Sequence, residues 1–141
     1  MTEDPDWFER EQLHFAAADG DVERMKALVA SGFQVDAFDE LGFTPLHHAV
    51  KTEHLAAIEY LISVGANVNS RDETRIGNSP LAEVAATCSL AVARLLIDAG
   101  ADPSLPGWMQ LSALDLAERR KRGDGPAVYA LLTRASSRER A

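Results

Sequence analysis

With 141 residues, of which 46% are hydrophobic, the chain is long enough for one folded domain and too apolar to be disordered throughout. No apolar run reaches the roughly 18 residues that a membrane-spanning helix needs, and the acidic, polar first six residues are unlike a signal peptide. Cys88 is the only cysteine, which excludes an internal disulfide and a cysteine zinc site. These observations favour the cytoplasm.

The net charge of −8 is unevenly distributed along the chain. Residues 1–70 contain 13 Asp/Glu and 4 Lys/Arg, whereas residues 71–141 contain 9 and 10. An acidic half repels the phosphate backbone of nucleic acids and attracts a partner protein with a basic surface. Solubility is the other reading, because a run of charges is usually a solvated face.

Residues 1–12 form a lead-in. Asp4-Pro5 can start a helix, on which Trp7, Phe8 and Glu11 lie at helical spacing. We expect Trp7 and Phe8 to cover the open N-terminal end of the domain, with a binding role for Trp7 as the alternative.

Four copies of one pattern follow the lead-in. Leu13, Leu46, Leu81 and Leu114 lie 33, 35 and 33 residues apart. Each leucine belongs to a short helix, and a second helix with an apolar stripe comes after it. The copies span residues 13–38, 39–71, 72–105 and 106–134, and residues 135–141 are expected to be a frayed, flexible tail.

The second copy carries the most complete signature, Gly42-Phe43-Thr44-Pro45-Leu46-His47-His48-Ala49. Thr44 is a good N-cap, and Pro45 then occupies the first helical position, where its missing N–H costs nothing. The third copy has a loop two residues longer and Ala82 in the place of His47. The fourth copy has Asp115 in that place and is predicted to be a polar C-terminal cap.

The period near 33 residues and the Thr-Pro-Leu-His-x-Ala signature resemble the ankyrin repeat family, over roughly residues 13–134. The resemblance implies an all-α solenoid of antiparallel helix pairs with projecting β-hairpin-like loops, in which the first and last repeats are caps. It also implies that His47, and His14 at the equivalent position, tie the start of a helix to a neighbouring loop.

No catalytic, cofactor or metal site is predicted. His47 and His48 are adjacent, and His54 follows His48 by six residues, so no two histidines share a helix face at a spacing of four. No cation adjacent in sequence activates Cys88, and no glycine-rich phosphate loop is present. The basic run from Arg119 to Arg122 complements the C-terminal end of a helix, so we expect no nucleic-acid binding.

The resemblance places a binding surface on the loop tips and on the exposed side of each first helix. Turn tips normally consist of Gly, Pro, Asn, Asp or Ser, so large apolar residues there predict an interaction patch. Packing of these apolar side chains on one another is the alternative. The predicted partner-binding residues are Phe38, Glu40, Leu41, Phe43, Lys51, Thr52, Arg71, Arg75, Ile76, Asn78, Thr87, Leu105, Trp108, Met109 and Arg119, and Asp19, Leu111 and Arg120 lie at equivalent positions.

We therefore predict a non-catalytic cytoplasmic module without a cofactor, monomeric on its own, that binds another protein and neither nucleic acid nor membrane. The small size and acidic balance suit an inhibitor or immunity-type protein that neutralises a toxin or an enzyme. An oligomeric scaffold or stress-protective ankyrin protein is the alternative.

Overall fold

The computed structural model describes residues 7–75 and 77–140, without the side chains of Trp7, Arg75 and residues 138–140. The described residues form nine α-helices and contain no β-strand. The helices are α1 (Trp7–Arg10), α2 (Gln12–Asp19), α3 (Val22–Ala30), α4 (Pro45–Lys51), α5 (Leu55–Ser63), α6 (Pro80–Val84), α7 (Leu90–Asp98), α8 (Ala113–Glu118) and α9 (Gly125–Arg140). Two short 3₁₀ turns, Glu73–Arg75 and Trp108–Gln110, lie in the loops.

After α1, the helices follow one another as four pairs, one pair for each predicted repeat. The first helices, α2, α4, α6 and α8, pack side by side, and the second helices, α3, α5, α7 and α9, form another layer. The core lies between these layers and contains fully buried residues such as Leu46, Ile58 and Leu96. The predicted solenoid of helix pairs is thereby confirmed.

Hydroxyl side chains start the first helices of repeats two, three and four. The Oγ atoms of Thr44, Ser79 and Ser112 accept from the N–H of the third residue of their helix at 3.3, 3.2 and 3.1 Å. Pro45 occupies the first position of α4, as predicted. In repeat one the equivalent residue is Glu11, which makes no side-chain cap bond.

The linker between α6 and α7 is held by side chains from both neighbouring repeats. Glu53 Oε2 of repeat two accepts from the N–H of Ser89 at 3.0 Å. From repeat four, Asp124 Oδ2 accepts from the N–H of Leu90 at 2.8 Å. A third charged residue, Arg120 of repeat four, also contacts this linker.

Arg120 differs from its expected place on the exposed side of a first helix. Its Nη1 donates to the carbonyl oxygens of Cys88 and Ala85 at 2.9 and 3.3 Å, and the residue is half-buried. The carbonyl group of Ala85 lies at the C-terminal cap of α6 and that of Cys88 lies in the linker beyond it, so neither has a partner inside a helix. Arg120 supplies donors to this helix end and is a structural residue.

The two ends of the stack differ in how they close. The ring of Phe8 lies 5.4 Å from that of Phe15, while residues 1–6 and the side chain of Trp7, to which a cap role was assigned, lie outside the described residues. At the other end α9 continues to Arg140, so residues 135–140 are helical where a frayed tail was expected. This segment contains no Gly or Pro, and Ser136 is buried. In the described part of the chain, no helix has the length and apolar character needed to cross a bilayer.

Candidate partner-binding surface

Three hairpin-like loops lie along one edge of the stack, each leading from a second helix into the next first helix. We call them the first hairpin (residues 39–43), the second hairpin (71–75 and 77–78) and the third hairpin (107–111). The first closes with the N–H of Asp39 on the carbonyl oxygen of Phe43 at 2.8 Å. The third closes in the same way, from Gly107 to Leu111 at 2.9 Å.

The carboxylate of Asp39 organises the first hairpin. Its Oδ1 accepts from the backbone N–H groups of Leu41 and Phe43 at 3.0 and 2.9 Å, and its Oδ2 accepts from His48 Nε2 at 2.8 Å. Burial alone would raise the pKa of Asp39, but these hydrogen bonds outweigh burial and hold it at about 2. The sequence analysis missed this role, although an aspartate two residues before a loop tip is typical of such a turn.

The tip of the third hairpin has an unusual backbone. Met109 and Gln110 both have positive φ angles, 57° and 61°, although neither is a glycine. The residue equivalent to Gln110 in the first hairpin is Gly42, which adopts φ 83° at little cost. A left-handed conformation costs other residues roughly 1 kcal/mol or more, so the third tip is strained.

The second hairpin supports the third. Asn78 Oδ1 accepts from the N–H of Trp108 at 2.9 Å, and the guanidinium of Arg71 donates to the carbonyl oxygen of Pro106. Gly107 leaves room for this contact, because a Cβ at that position would collide with Asn78 Oδ1. Arg71 and Asn78, predicted to bind a partner, are half-buried and hold the third hairpin in place.

Two buried histidines tie helices to the loops beside them. His47 Nε2 donates to the carbonyl oxygen of Asn78 at 2.7 Å, and His14 Nε2 donates to that of Ala37 at 2.7 Å. Burial lowers the pKa of both imidazoles, which keeps them neutral. The predicted structural role of these histidines is confirmed.

The histidine tie is altered in repeats one, three and four. His14 Nδ1 is buried without a partner, because Glu11 stands where Thr44 supports His47. Ala82 has no polar group, and Asn78 and the preceding Arg71 reach the next hairpin instead. Asp115 Oδ2 turns back to the N–H of Ser112 at 2.9 Å, which lowers the pKa of Asp115 and caps its own helix.

The sequence analysis predicted no catalytic or metal site at Cys88 and the histidines. The Cys88 side chain is buried, and burial raises the pKa of the thiol despite the nearby Arg120 guanidinium, which opposes the shift. The sequence analysis found no cation near this cysteine, because Arg120 is 32 residues away along the chain. Among the described residues, no three His, Cys, Asp or Glu side chains are grouped to hold a metal ion.

The apolar residues at the loop tips are exposed. The exposed fraction is 71% for Leu41, 66% for Met109, 61% for Trp108 and 44% for Phe38. Ile76 and the side chain of Arg75, also predicted for this surface, lie outside the described residues.

The remaining predicted residues divide into exposed and half-buried ones. Phe43 is half-buried, with its ring 5.5 Å from that of His47 and Lys51 Nζ 4.4 Å above its centroid. Leu105 and Leu111 are also half-buried. Exposed residues are Glu40, Lys51, Thr52, Thr87, Arg119 and Asp19.

Comparison with known proteins places the repeats in a family. The family model described as ankyrin repeats (3 copies) matches residues 13–107. The B-cell lymphoma 3 protein homolog of Mus musculus is 33% identical over 110 residues, which cover 77% of this chain and 24% of that protein. An ankyrin repeat-containing protein of Schizosaccharomyces pombe is 36% identical over 69 residues, or 49% of this chain and 32% of that protein. An L-asparaginase of Dirofilaria immitis is 36% identical over 61 residues, or 43% of this chain and 10% of that protein.

The chain therefore spans no more than about a third of the length of these relatives, as the largest share, 32%, shows. Ankyrin repeats generally mediate protein–protein interaction and are typically non-catalytic modules. The period, the hydroxyl caps, the two layers of helices and the family match agree: the chain belongs to the ankyrin repeat family.

Proposed function

We propose that the chain is a non-catalytic module that binds another protein through its hairpins and the adjoining exposed ends of its first helices. The exposure of Leu41, Trp108 and Met109 at the hairpin tips carries this proposal. No turn geometry requires large apolar side chains there, and apolar patches on a surface mark interaction sites.

Preorganised hairpins support the proposal. Asp39, His47 and Asn78 hold the hairpin backbones through hydrogen bonds that involve none of the apolar tip side chains. A partner would therefore meet tips that are already ordered, which lowers the entropy cost of binding.

The class of partner follows from charge. The excess of Asp and Glu in residues 1–70 suits a partner with a basic surface, because opposite potentials steer association. We propose that the chain acts in the cytoplasm as an inhibitor or immunity-type protein, a monomer that neutralises a toxin or an enzyme. Co-expression with each neighbouring gene tests this role, and failure to relieve toxicity or activity in every case would contradict it.

Paired variants test the binding surface. We expect Leu41→Ala with Trp108→Ala to keep the fold and to lose the partner in quantitative pull-down from the source cells. Leu55→Ala with Val64→Ala is the matched control, because both residues are exposed and apolar but lie outside the hairpins. If folded tip variants retain every partner as the control does, the surface is wrong.

Self-association is the second candidate, because the exposed tips could also be buried between copies of the chain. Size-exclusion chromatography with light scattering over a range of concentrations decides between the two. A strict monomer contradicts the oligomeric scaffold, and concentration-dependent assembly that Leu41→Ala abolishes favours it.

A further inference from the structure

Leu41 and Met109 occupy the same place in two hairpins. Each lies two residues after the residue whose N–H closes its hairpin, namely Asp39 and Gly107. They are also the two most exposed of the large apolar side chains in the described part of the chain. The hairpin edge therefore presents two matched apolar side chains.

The second hairpin lies between the two hairpins that carry these side chains. Hydrogen bonds link α4, which follows the first hairpin, to the second hairpin, from His47 to Asn78, and link the second hairpin to the third, from Asn78 to Trp108. The helices that follow the hairpins, α4, α6 and α8, pack side by side. Packed helices lie about 8–10 Å apart, so α4 and α8, which follow the first and third hairpins, are about 16–20 Å apart.

The third hairpin exposes its apolar side chain at an energetic cost. Met109 adopts φ 57°, a conformation that glycine would reach with far less strain. Backbone strain of this kind concentrates at ligand-binding positions. Met109 is both strained and exposed, and we take it as a second contact point beside Leu41.

Negative charge is confined to one of the two contact points. Beside Leu41 lie the exposed Glu40 and also Glu11, whose Oε2 accepts from the Glu40 N–H at 3.2 Å. The side chain of Asp39 is only 6% exposed and its carboxylate is bound by His48, so Glu40 and Glu11 are the carboxylates that a ligand would meet. Residues 107–111 of the third hairpin carry no charged side chain. A complementary ligand is cationic near Leu41 and neutral near Met109.

We propose that the hairpin edge binds an amphipathic helix of the partner protein. Two apolar side chains of that helix, about 11 residues or three turns apart, contact Leu41 and Met109, since three turns span about 16 Å. Lys or Arg one turn from the first of them faces Glu40. This inference rests on the proposed function and names the form of the partner.

The probe is a synthetic alanine-based helical peptide with two leucines about 11 residues apart and two lysines one turn from one leucine. The first comparison peptide changes the spacing, with its leucines about 7 residues apart. The second changes the charge, with glutamates in place of the lysines. The third changes the backbone form: it is an extended peptide of β-branched residues with leucines about 5 residues apart. Binding is followed by the fluorescence of Trp108 in a Trp7→Phe chain, since these are the two tryptophans.

We expect the first peptide to bind at least about tenfold more tightly than each comparison peptide. Leu41→Ala and Met109→Asn should each weaken it about tenfold, and Glu40→Gln about threefold. Asparagine is chosen because it tolerates positive φ, so the turn is kept. Leu55→Ala, an exposed apolar change outside the hairpins, should leave the affinity unchanged.

Equal affinity for the two leucine spacings, or unchanged affinity in folded Met109→Asn, overturns the inference. Tighter binding of the extended peptide overturns the helical form. In these cases the proposed function still holds if the Leu41→Ala, Trp108→Ala double variant loses the partner in pull-down. If the double variant captures the partner as well as the natural chain does, the proposed function is contradicted, whatever the peptide affinities are.

Discussion

His47 donates from Nε2 to the carbonyl oxygen of Asn78 at 2.7 Å and accepts at Nδ1 from the backbone N–H of Thr44 at 3.0 Å. The two bonds require the neutral imidazole, because a protonated Nδ1 could not accept. One side chain therefore holds the start of α4 and the end of the second hairpin together. Its charge state is coupled to the stability of the stack.

Stability should fall as the pH is lowered through 6.5. Burial lowers the pKa of His14 and His47 below 6.5, so the unfolded chain binds more protons than the folded chain in that range. The contribution of the neutral histidines to the free energy of unfolding is complete above pH 6.5. It decreases by up to about 1.4 kcal/mol per histidine over one pH unit below that value. Urea unfolding at pH 7.5 and 5.5 measures this change.

His47→Gln removes one of the two groups and should reduce this pH dependence by up to half. His54→Gln is the control, because His54 is exposed. Equal stability of the natural chain at both pH values would contradict the role given to the buried imidazoles.

Asp39→Asn should destabilise the chain by about 1–2 kcal/mol at pH 7, because charged hydrogen bonds to two backbone N–H groups are weakened. The pKa of Asp39 is lowered from 3.8 to about 2, so its stabilisation is present above pH 3.8 and is lost as the pH falls towards 2. Urea unfolding at pH 7 measures Asp39→Asn beside the control Glu40→Gln, which should change the free energy of unfolding by less than about 0.5 kcal/mol. Similar effects of the two substitutions would show that Asp39 does not organise the hairpin.

Arg120→Ala should cost about 2 kcal/mol, because it leaves the carbonyl groups of Ala85 and Cys88 without their charged donor. Loss of the guanidinium should also raise the pKa of the Cys88 thiol further, which slows its reaction with a thiol reagent in the folded chain. Thermal unfolding and reaction kinetics check both effects against Arg119→Ala, a substitution of an exposed neighbour. An unchanged melting temperature would mean that Arg120 is not needed at this helix end.

Gly107→Ala should destabilise the third hairpin by about 2 kcal/mol, because the added Cβ displaces the Asn78 side chain from the N–H of Trp108. The same substitution should cost less in an Asn78→Ala chain, where the colliding atom is gone. A double-mutant cycle measured by urea unfolding reports this coupling. If the effects of Gly107→Ala and Asn78→Ala are additive, the cost of the added methyl group does not come from its contact with the Asn78 side chain.

The repeat pattern was readable from sequence because it depends on local rules. The leucine period, the Thr44 cap and the Pro45 start each act within one helix, and the structure shows each of them. The family match then agreed with the resemblance carried by the same residues.

Contacts between repeats were less readable. Arg120 and Asn78 were both predicted to be exposed, because their partners lie about one repeat away and depend on the length of α6 and the path of the longer loop. Positive φ at Met109 was equally hidden, since nothing in that tip follows the usual glycine or asparagine pattern. The partner-binding residues remain predictions.

The contacts that the linker receives from Glu53, Arg120 and Asp124 affect how the stack of repeats unfolds. Two of these three residues belong to the fourth repeat, so melting α8 and α9 also removes two of the three charged side chains that hold the linker before α7. We expect the last two repeats to open as one cooperative block, with their amides exchanging hydrogen at a common rate. A partner seated on the third hairpin could then be released by an event at the opposite ends of the helices.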